Sequence, residues 1–443
     1  MTAVLSPALP PTVGADLEVP LVDGRRVRYA DLDAAASAPP LRAVADHVAE
    51  VLPYYASVHR GAGYTSRVCT SLLESARDTV GHFVGSRVDD VVVFTRNTTD
   101  ALALLARAVP GPVLTLDLEH HATLLAWRHT EHHVVAARRT VAATLDALRE
   151  GVRTHRPALV AVTGASNVTG ETLPLTAIVE LAHAAGARVA IDAAQLAPHR
   201  RVDLAALGAD YLALSGHKLY APYGAGVLVG RRDWLDAAPA HLAGGGAVRS
   251  VAVADGATDT AWLPAPQRHE GGTPNLLGAV ALAAACRALE PVVDTVVPAH
   301  ERALAARLRD SLSDLPGVRL LECFDDAPDQ VAVVSFDVEA LPAGLVAAAL
   351  SAEFGIGVRD GRFCAHPLLD RLTGGGDAVR ASLGLATVPE DVERLIAAVA
   401  RLVERGPGWT YAQRDGRWVP TPDPRDLDPL RVGARDGLPG CDR

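Results

Sequence analysis

The chain has 443 residues, 49% of them hydrophobic and 21% charged, and a formal charge of −10. That length supplies two or three domains with a large core. The acidic balance excludes a protein built on the phosphate backbone of nucleic acid, and no apolar run reaches a membrane span. The segment Met1 to Leu17 is rich in Pro and Ala and has no basic stretch leading into an apolar one. No secretory signal is therefore expected, and the protein is expected in the cytoplasm.

In chain order, Val91–Thr95, Val113–Leu118, Leu159–Thr163, Arg188–Ile191 and Tyr211–Leu214 are short apolar runs that predict buried strands. Helical patterns at Thr99–Ala108, Thr176–Ala185 and Leu204–Leu207 fall between several of them. The alternation predicts a large α/β domain over residues 31–290 around a mostly parallel sheet. Polar residues cluster just after the strands, where open α/β sheets place their ligands. Beyond Pro291 the texture changes to a helix at Glu301–Leu315, a strand at Val331–Phe336, and helices at Leu341–Glu353 and Pro389–Val403. These predict a smaller α+β domain over 291–405. Residues 1–30 are assigned to a segment packing with it. Residues 406–443, rich in Pro, Gly, Arg and Asp, are an extension expected to wrap the surface or stay partly disordered.

The five cysteines, Cys69, Cys286, Cys323, Cys364 and Cys441, are odd in number and scattered, without a CxxC pair. That is the pattern of a reducing compartment, with neither a disulfide framework nor a zinc site. His120, His121, His129, His132 and His133 lie close together but in no zinc-binding spacing. Three of the five read as surface helix residues, and no metal site is expected.

The chemistry gathers around one residue. Of 42 basic Lys and Arg side chains, only Lys218 is a lysine. A guanidinium stays charged, whereas an amine can lose its proton and attack a carbonyl. Lys218 lies in Ser215-Gly-His-Lys, directly after a predicted strand. Asp192 ends another strand, where a buried carboxylate needs a cationic partner such as a protonated pyridine. Thr98 and Thr99 open a helix, where free N–H groups and the helix dipole favour a phosphate.

The conjunction carries a resemblance. The segments Leu32-Asp33-Ala-Ala-Ala-Ser-Ala-Pro, Val58-His-Arg-Gly, Phe94-Thr-Arg-Asn-Thr-Thr, Glu119-His-His-Ala and Ser166-Asn-Val-Thr-Gly follow the pattern of a known family. So do Asp192-Ala-Ala-Gln, Ser215-Gly-His-Lys, Gly272-Thr-Pro-Asn, Arg359-Asp-Gly-Arg-Phe-Cys and Arg380-Ala-Ser-Leu. In this order they resemble the class V aminotransferase group of fold-type-I enzymes dependent on pyridoxal 5'-phosphate (PLP). The likeness is closest to the cysteine desulfurases and selenocysteine lyases.

The resemblance implies a homodimer with active sites shared between subunits and a small amino-acid substrate. It implies that Lys218 forms the internal aldimine and moves the α-proton, and that Asp192 pairs with the ring nitrogen. Gln195 would bind the ring oxygen and His120 would stack on the ring. Thr98, Thr99, Ser215 and His217 would hold the phosphate, with Thr273 reaching across from a second subunit. Asn167 and Arg380 would bind the substrate carboxylate, with Arg359 nearby. Cys364 would take sulfur from L-cysteine as a persulfide, release alanine and pass the sulfur to an acceptor protein. The alternatives within the same chemistry are transamination, C–S lysis and epimerisation; outside it stands a non-catalytic PLP-binding partner protein. The chain departs from the family pattern at Gly63, Ala247, Arg249 and Phe363, and in the extension beyond Gly406.

Overall fold

The computed structural model describes residues 8–432. The first seven residues, the end of the extension and Cys441 lie outside the described residues.

Seven strands form the central sheet: β1 (Asp90–Thr95), β2 (Val113–Leu116), β3 (His132–Val135), β4 (Leu159–Thr163), β5 (Arg188–Asp192), β6 (Tyr211–Ser215) and β7 (Gly226–Arg231). Their spatial order is β1-β7-β6-β5-β4-β2-β3. Only β7 runs antiparallel to its neighbours. Strands β2, β4 and β6 are buried at every position, as expected of a parallel sheet covered on both faces. Side chains alternate between two cores. Leu159 and Ala161 join Val91, Leu105 and Trp127 on one side, while Val160 and Val162 join Leu114, Ile191 and Leu214 on the other.

The smaller domain is a four-stranded antiparallel sheet in the order Val318–Leu320, Val333–Val338, Ala378–Ser382, Arg359–Gly361. Helices Val296–Ser313, Ala343–Phe354 and Pro389–Arg405 pack with it around Phe336, Leu350, Val379, Leu395 and Val399. The N-terminal segment joins this body: the Val22 N–H donates to the Ala352 carbonyl (3.0 Å), and Ala30 pairs with Ile356.

Two hairpins differ from the sequence reading. Val248–Ala254 and Ala257–Trp262 form an exposed pair, and Tyr411–Arg414 and Arg417–Pro420 turn part of the extension into ordered structure. The second hairpin is anchored by Glu353. Its carboxylate accepts from the Gly408 N–H (2.9 Å) and the Tyr411 hydroxyl (3.0 Å). His132 and His133 lie on β3, not on a surface helix: His132 Nε2 bonds Thr115 Oγ1 at 2.9 Å, and His133 stacks on His155. Among the described residues no His/Cys/Asp/Glu group is placed to hold a metal, and no helix is long and apolar enough to cross a membrane.

Candidate active site

The ends of the strands converge on one edge of the sheet. Thr98 follows β1, His120 follows β2, Thr163 ends β4, Asp192 ends β5, and Ser215 ends β6 ahead of Lys218. The small domain supplies Arg359 and Arg380 from directly paired strand positions, and Cys364 from the turn that follows. Every predicted site residue except Thr273 lines one cavity of about 440 Å³. Thr273 is exposed in the loop ahead of helix Leu276–Leu289. A larger groove of about 1270 Å³ lies between helix Ala343–Phe354 and the extension hairpin, and meets the site only at Asp33 and Arg359.

Lys218 emerges from a tight turn. A Cβ on Gly216 would lie 2.8 Å from the Ala225 carbonyl and 2.9 Å from that of Ala221, so only glycine fits. Burial pushes the Lys218 amine down to about 8; the Asp192 carboxylate pulls it up and the Arg380 guanidinium pushes it further down. Its proton can therefore leave near neutral pH, which no arginine allows.

Asp192 is 5% exposed. It accepts from Thr123 Oγ1 (3.0 Å) and from the Ala194 N–H (3.0 Å), yet burial still raises its pKa. Its hydrogen-bond donors are neutral, so a cationic ring nitrogen would complete its environment.

Helix Thr98–Ala108 starts at Asn97, whose Oδ1 accepts from the Asp100 N–H (3.0 Å). The Thr98 N–H and hydroxyl both meet Ser215 Oγ at 2.8 Å. An anion placed there finds hydroxyls and the positive end of an eleven-residue helix. His217 closes the same side, and Gln195 Nε2 donates to the Ala35 carbonyl (2.7 Å) at the cavity wall.

His120 caps helix His121–Leu125, its Nδ1 accepting the Ala122 N–H at 3.0 Å. Burial, then the charges of Lys218, His121 and Arg380, push its pKa down to about 3. The ring is a neutral, flat surface with its remaining proton on Nε2, suited to face a planar ligand.

Arg380 is 3% exposed. One guanidinium nitrogen donates to the Asn167 carbonyl and another to Asp33, each at 3.0 Å, while Nε has no hydrogen-bond partner. A desolvated guanidinium with a spare N–H is a carboxylate site. Cys364 and Phe363 sit at φ +53° and +51°. That left-handed conformation costs about 1–2 kcal/mol for each residue that is not glycine.

Four contributors carried no role in the sequence reading. Thr123 holds Asp192, Asp33 pairs with Arg380, and the Phe363 carbonyl accepts from Asn167 Nδ2 at 2.7 Å. Glu119 is fully buried and neither carboxylate oxygen has a hydrogen-bond partner. Burial, reinforced by the Asp192 charge, holds it well above the usual carboxylate range; the Thr163 backbone pulls the other way without reaching hydrogen-bond geometry. Its sequence signal was a carboxylate directly after a predicted buried strand, which an ordinary loop acid also gives.

A family model, aminotransferase class-V, matches residues 30–395, and the chain belongs to that family. It is accordingly a PLP-dependent enzyme. Its relatives narrow the branch to the cysteine desulfurases. The cysteine desulfurase of Dickeya dadantii is 35% identical over 394 residues, 86% of this chain and 93% of the relative. Among solved structures, a cysteine desulfurase from Escherichia coli in an S-sulfonic acid form aligns at TM-score 0.74 and 31% identity, over 85% of this chain and 95% of that one. The apo cysteine desulfurase of Thermococcus onnurineus aligns at TM-score 0.78 and 31% identity, with the same shares covered.

Proposed function

We propose that this chain is a cytoplasmic, homodimeric cysteine desulfurase that moves sulfur from L-cysteine onto Cys364, releases L-alanine and hands the persulfide to an acceptor protein. One observation carries the reading: Lys218, Arg380 and Cys364 line the same small cavity. An amine, a carboxylate anchor and a thiol thus address one bound amino acid. The relatives named cysteine desulfurase support the same reading.

The residues present fit PLP. Asp192 would face the ring nitrogen, His120 would pack on the ring, and Gln195 would meet the ring oxygen. Thr98, Thr99, Ser215 and His217 would take the phosphate, joined by Thr273 from the second copy. When bound, PLP supplies an electron sink for the bonds at Cα and Cβ of the substrate. Arg380 and Asn167 hold the substrate carboxylate, with Arg359 beside them, and so aim its sulfur at Cys364. Lys218 Nζ, with its pKa near 8, takes and returns protons. The Cys364 thiolate attacks the substrate sulfur. The S–S bond forms as the Cβ–S bond breaks, and the electron pair left on carbon takes a proton to give alanine.

The test is to incubate the holoenzyme with L-cysteine and assay alanine and protein-bound persulfide together. Both are expected, and both should collapse in Cys364→Ala. Unchanged alanine formation in Cys364→Ala would defeat the role of the thiol, and pyruvate with free sulfide in place of alanine would replace this reading with a C–S lyase.

A further inference from the structure

We propose that Phe363 is a positioning residue for Cys364, tying the sulfur-accepting thiol to the carboxylate anchor formed by Asn167 and Arg380. The inference rests on the desulfurase reading of the site and adds to it the element that fixes where the thiol stands.

The link between strand Arg359–Gly361 and helix His366–Thr373 is four residues long. Within it, Phe363 and Cys364 take consecutive left-handed conformations. A relaxed turn would place glycine or asparagine there, because a bulky side chain is disfavoured at positive φ. The surroundings must therefore hold the conformation, and they act largely through Phe363. Its ring is buried, 4% exposed, with the Arg380 guanidinium 5.1 Å from the ring centroid. Its carbonyl accepts from Asn167 Nδ2 at 2.7 Å, and Arg380 in turn donates to the Asn167 carbonyl at 3.0 Å. Arg380, Asn167 and Phe363 close a ring of contacts. One further bond fixes the next residue: the His121 N–H donates to the Cys364 carbonyl at 2.7 Å.

The consequence is geometric. The backbone angles of Phe363 and Cys364 direct the thiol, and the group that enforces them is the one that receives the substrate carboxylate. A carboxylate arriving at Arg380 Nε meets the same network. The span from carboxylate anchor to thiol is thereby set by one rigid unit, suited to an amino acid whose sulfur is on Cβ.

Three readouts on the holoenzyme test this in Phe363→Gly, which relaxes the backbone and removes the ring. The cofactor's spectral response to L-cysteine should keep a half-saturation within about threefold of wild type, since Arg380 and Asn167 remain, while persulfide formation falls about tenfold or more. Alkylation of Cys364 by iodoacetamide without substrate should accelerate about fivefold or more as the turn loosens. Persulfide formation within about twofold of wild type overturns the proposal. So does a parallel loss of spectral response and persulfide in a protein of normal melting profile, which would make Phe363 a support of the binding site. If the glycine variant does not fold, Phe363→Leu, which stays buried without an aromatic face, is read by the same criteria with a drop of about threefold expected. Wild-type holoenzyme that makes no persulfide from L-cysteine would defeat the desulfurase reading instead. The alkylation comparison needs no substrate and still decides the positioning claim: unchanged rates overturn it.

Discussion

Replacing Lys218 by methionine removes a charge that the folded apoprotein holds at a cost. Burial moves the amine from its ordinary 10.5 to about 8, a displacement worth about 3 kcal/mol at 1.36 kcal/mol for each pKa unit. Below pH 8 the lysine is protonated in both the folded and the unfolded chain, and the penalty is fully present. Between pH 8 and 10.5 the folded lysine gives up its proton first, so the unfolded state binds more protons and wild-type stability rises with pH. Above that window the penalty is gone. That displacement is already net of the attraction to Asp192, and methionine keeps the stem without the charge, so Lys218→Met should stabilise the cofactor-stripped protein by about 1–3 kcal/mol at pH 7. The gap should close toward pH 10.5. Denaturant unfolding of both proteins across a pH series reads the difference directly, with other titrating groups cancelling between the pair. A variant less stable than wild type at pH 7, or a gap that does not change with pH, would refute the account of a buried ammonium. Turnover should be absent in the variant throughout.

Arg380→Lys replaces a planar fork by a point charge, and half-saturation for L-cysteine should rise about tenfold or more in steady-state alanine assays. Glu119→Gln keeps the shape of an acid that burial holds neutral. Wild type should lose stability as pH climbs above 4.5, because the unfolded acid ionises first, and the glutamine variant should lack that slope in melting curves. Glu353→Ala strands the N–H of Gly408 and the hydroxyl of Tyr411. It should cost about 1–3 kcal/mol and open residues 406–421 to limited proteolysis while leaving the catalytic cavity intact.

The parts of the fold that the sequence announced are those buried on both faces. Runs such as Leu159–Thr163 and Tyr211–Ser215 are apolar at nearly every position because helices cover both sides of the sheet. Strand β3 was hidden because it opens on His132 and His133, whose ring nitrogens are met by the Thr115 hydroxyl and the Glu131 carboxylate. Both hairpins carried a local signal that was not used. Each turns on an Asp-Gly pair, Asp255-Gly256 and Asp415-Gly416, with both residues at positive φ, the preferred chemistry of a two-residue turn. Their flanking strands are rich in Ala and Arg, so the alternation that marks a strand is weak. In the site, residues whose type names their chemistry were legible: an amine, a thiol, a guanidinium, hydroxyls at a helix start. Thr123, and Phe363 acting through its carbonyl, were not, because their contributions depend on contacts made across the fold.

The solitary lysine gains a physical reason from this geometry. The cavity already contains Arg359 and Arg380, so positive charge alone does not distinguish Lys218. Arg380 is buried and hydrogen-bonded to Asp33 and Asn167, and it serves by staying charged. Lys218 is buried beside them, and burial, aided by the Arg380 charge and opposed by the Asp192 carboxylate, brings its pKa to about 8. A guanidinium in its place would remain protonated under the same pressure and could neither give up a proton nor bond to a carbonyl carbon. Surface positions ask only for charge, which arginine provides. Lys218→Arg should therefore be as inactive as Lys218→Ala, and the absorbance of the lysine-linked cofactor should be missing from both; alanine formation by the arginine variant at even one-tenth of the wild-type rate would defeat this account of why the amine is needed.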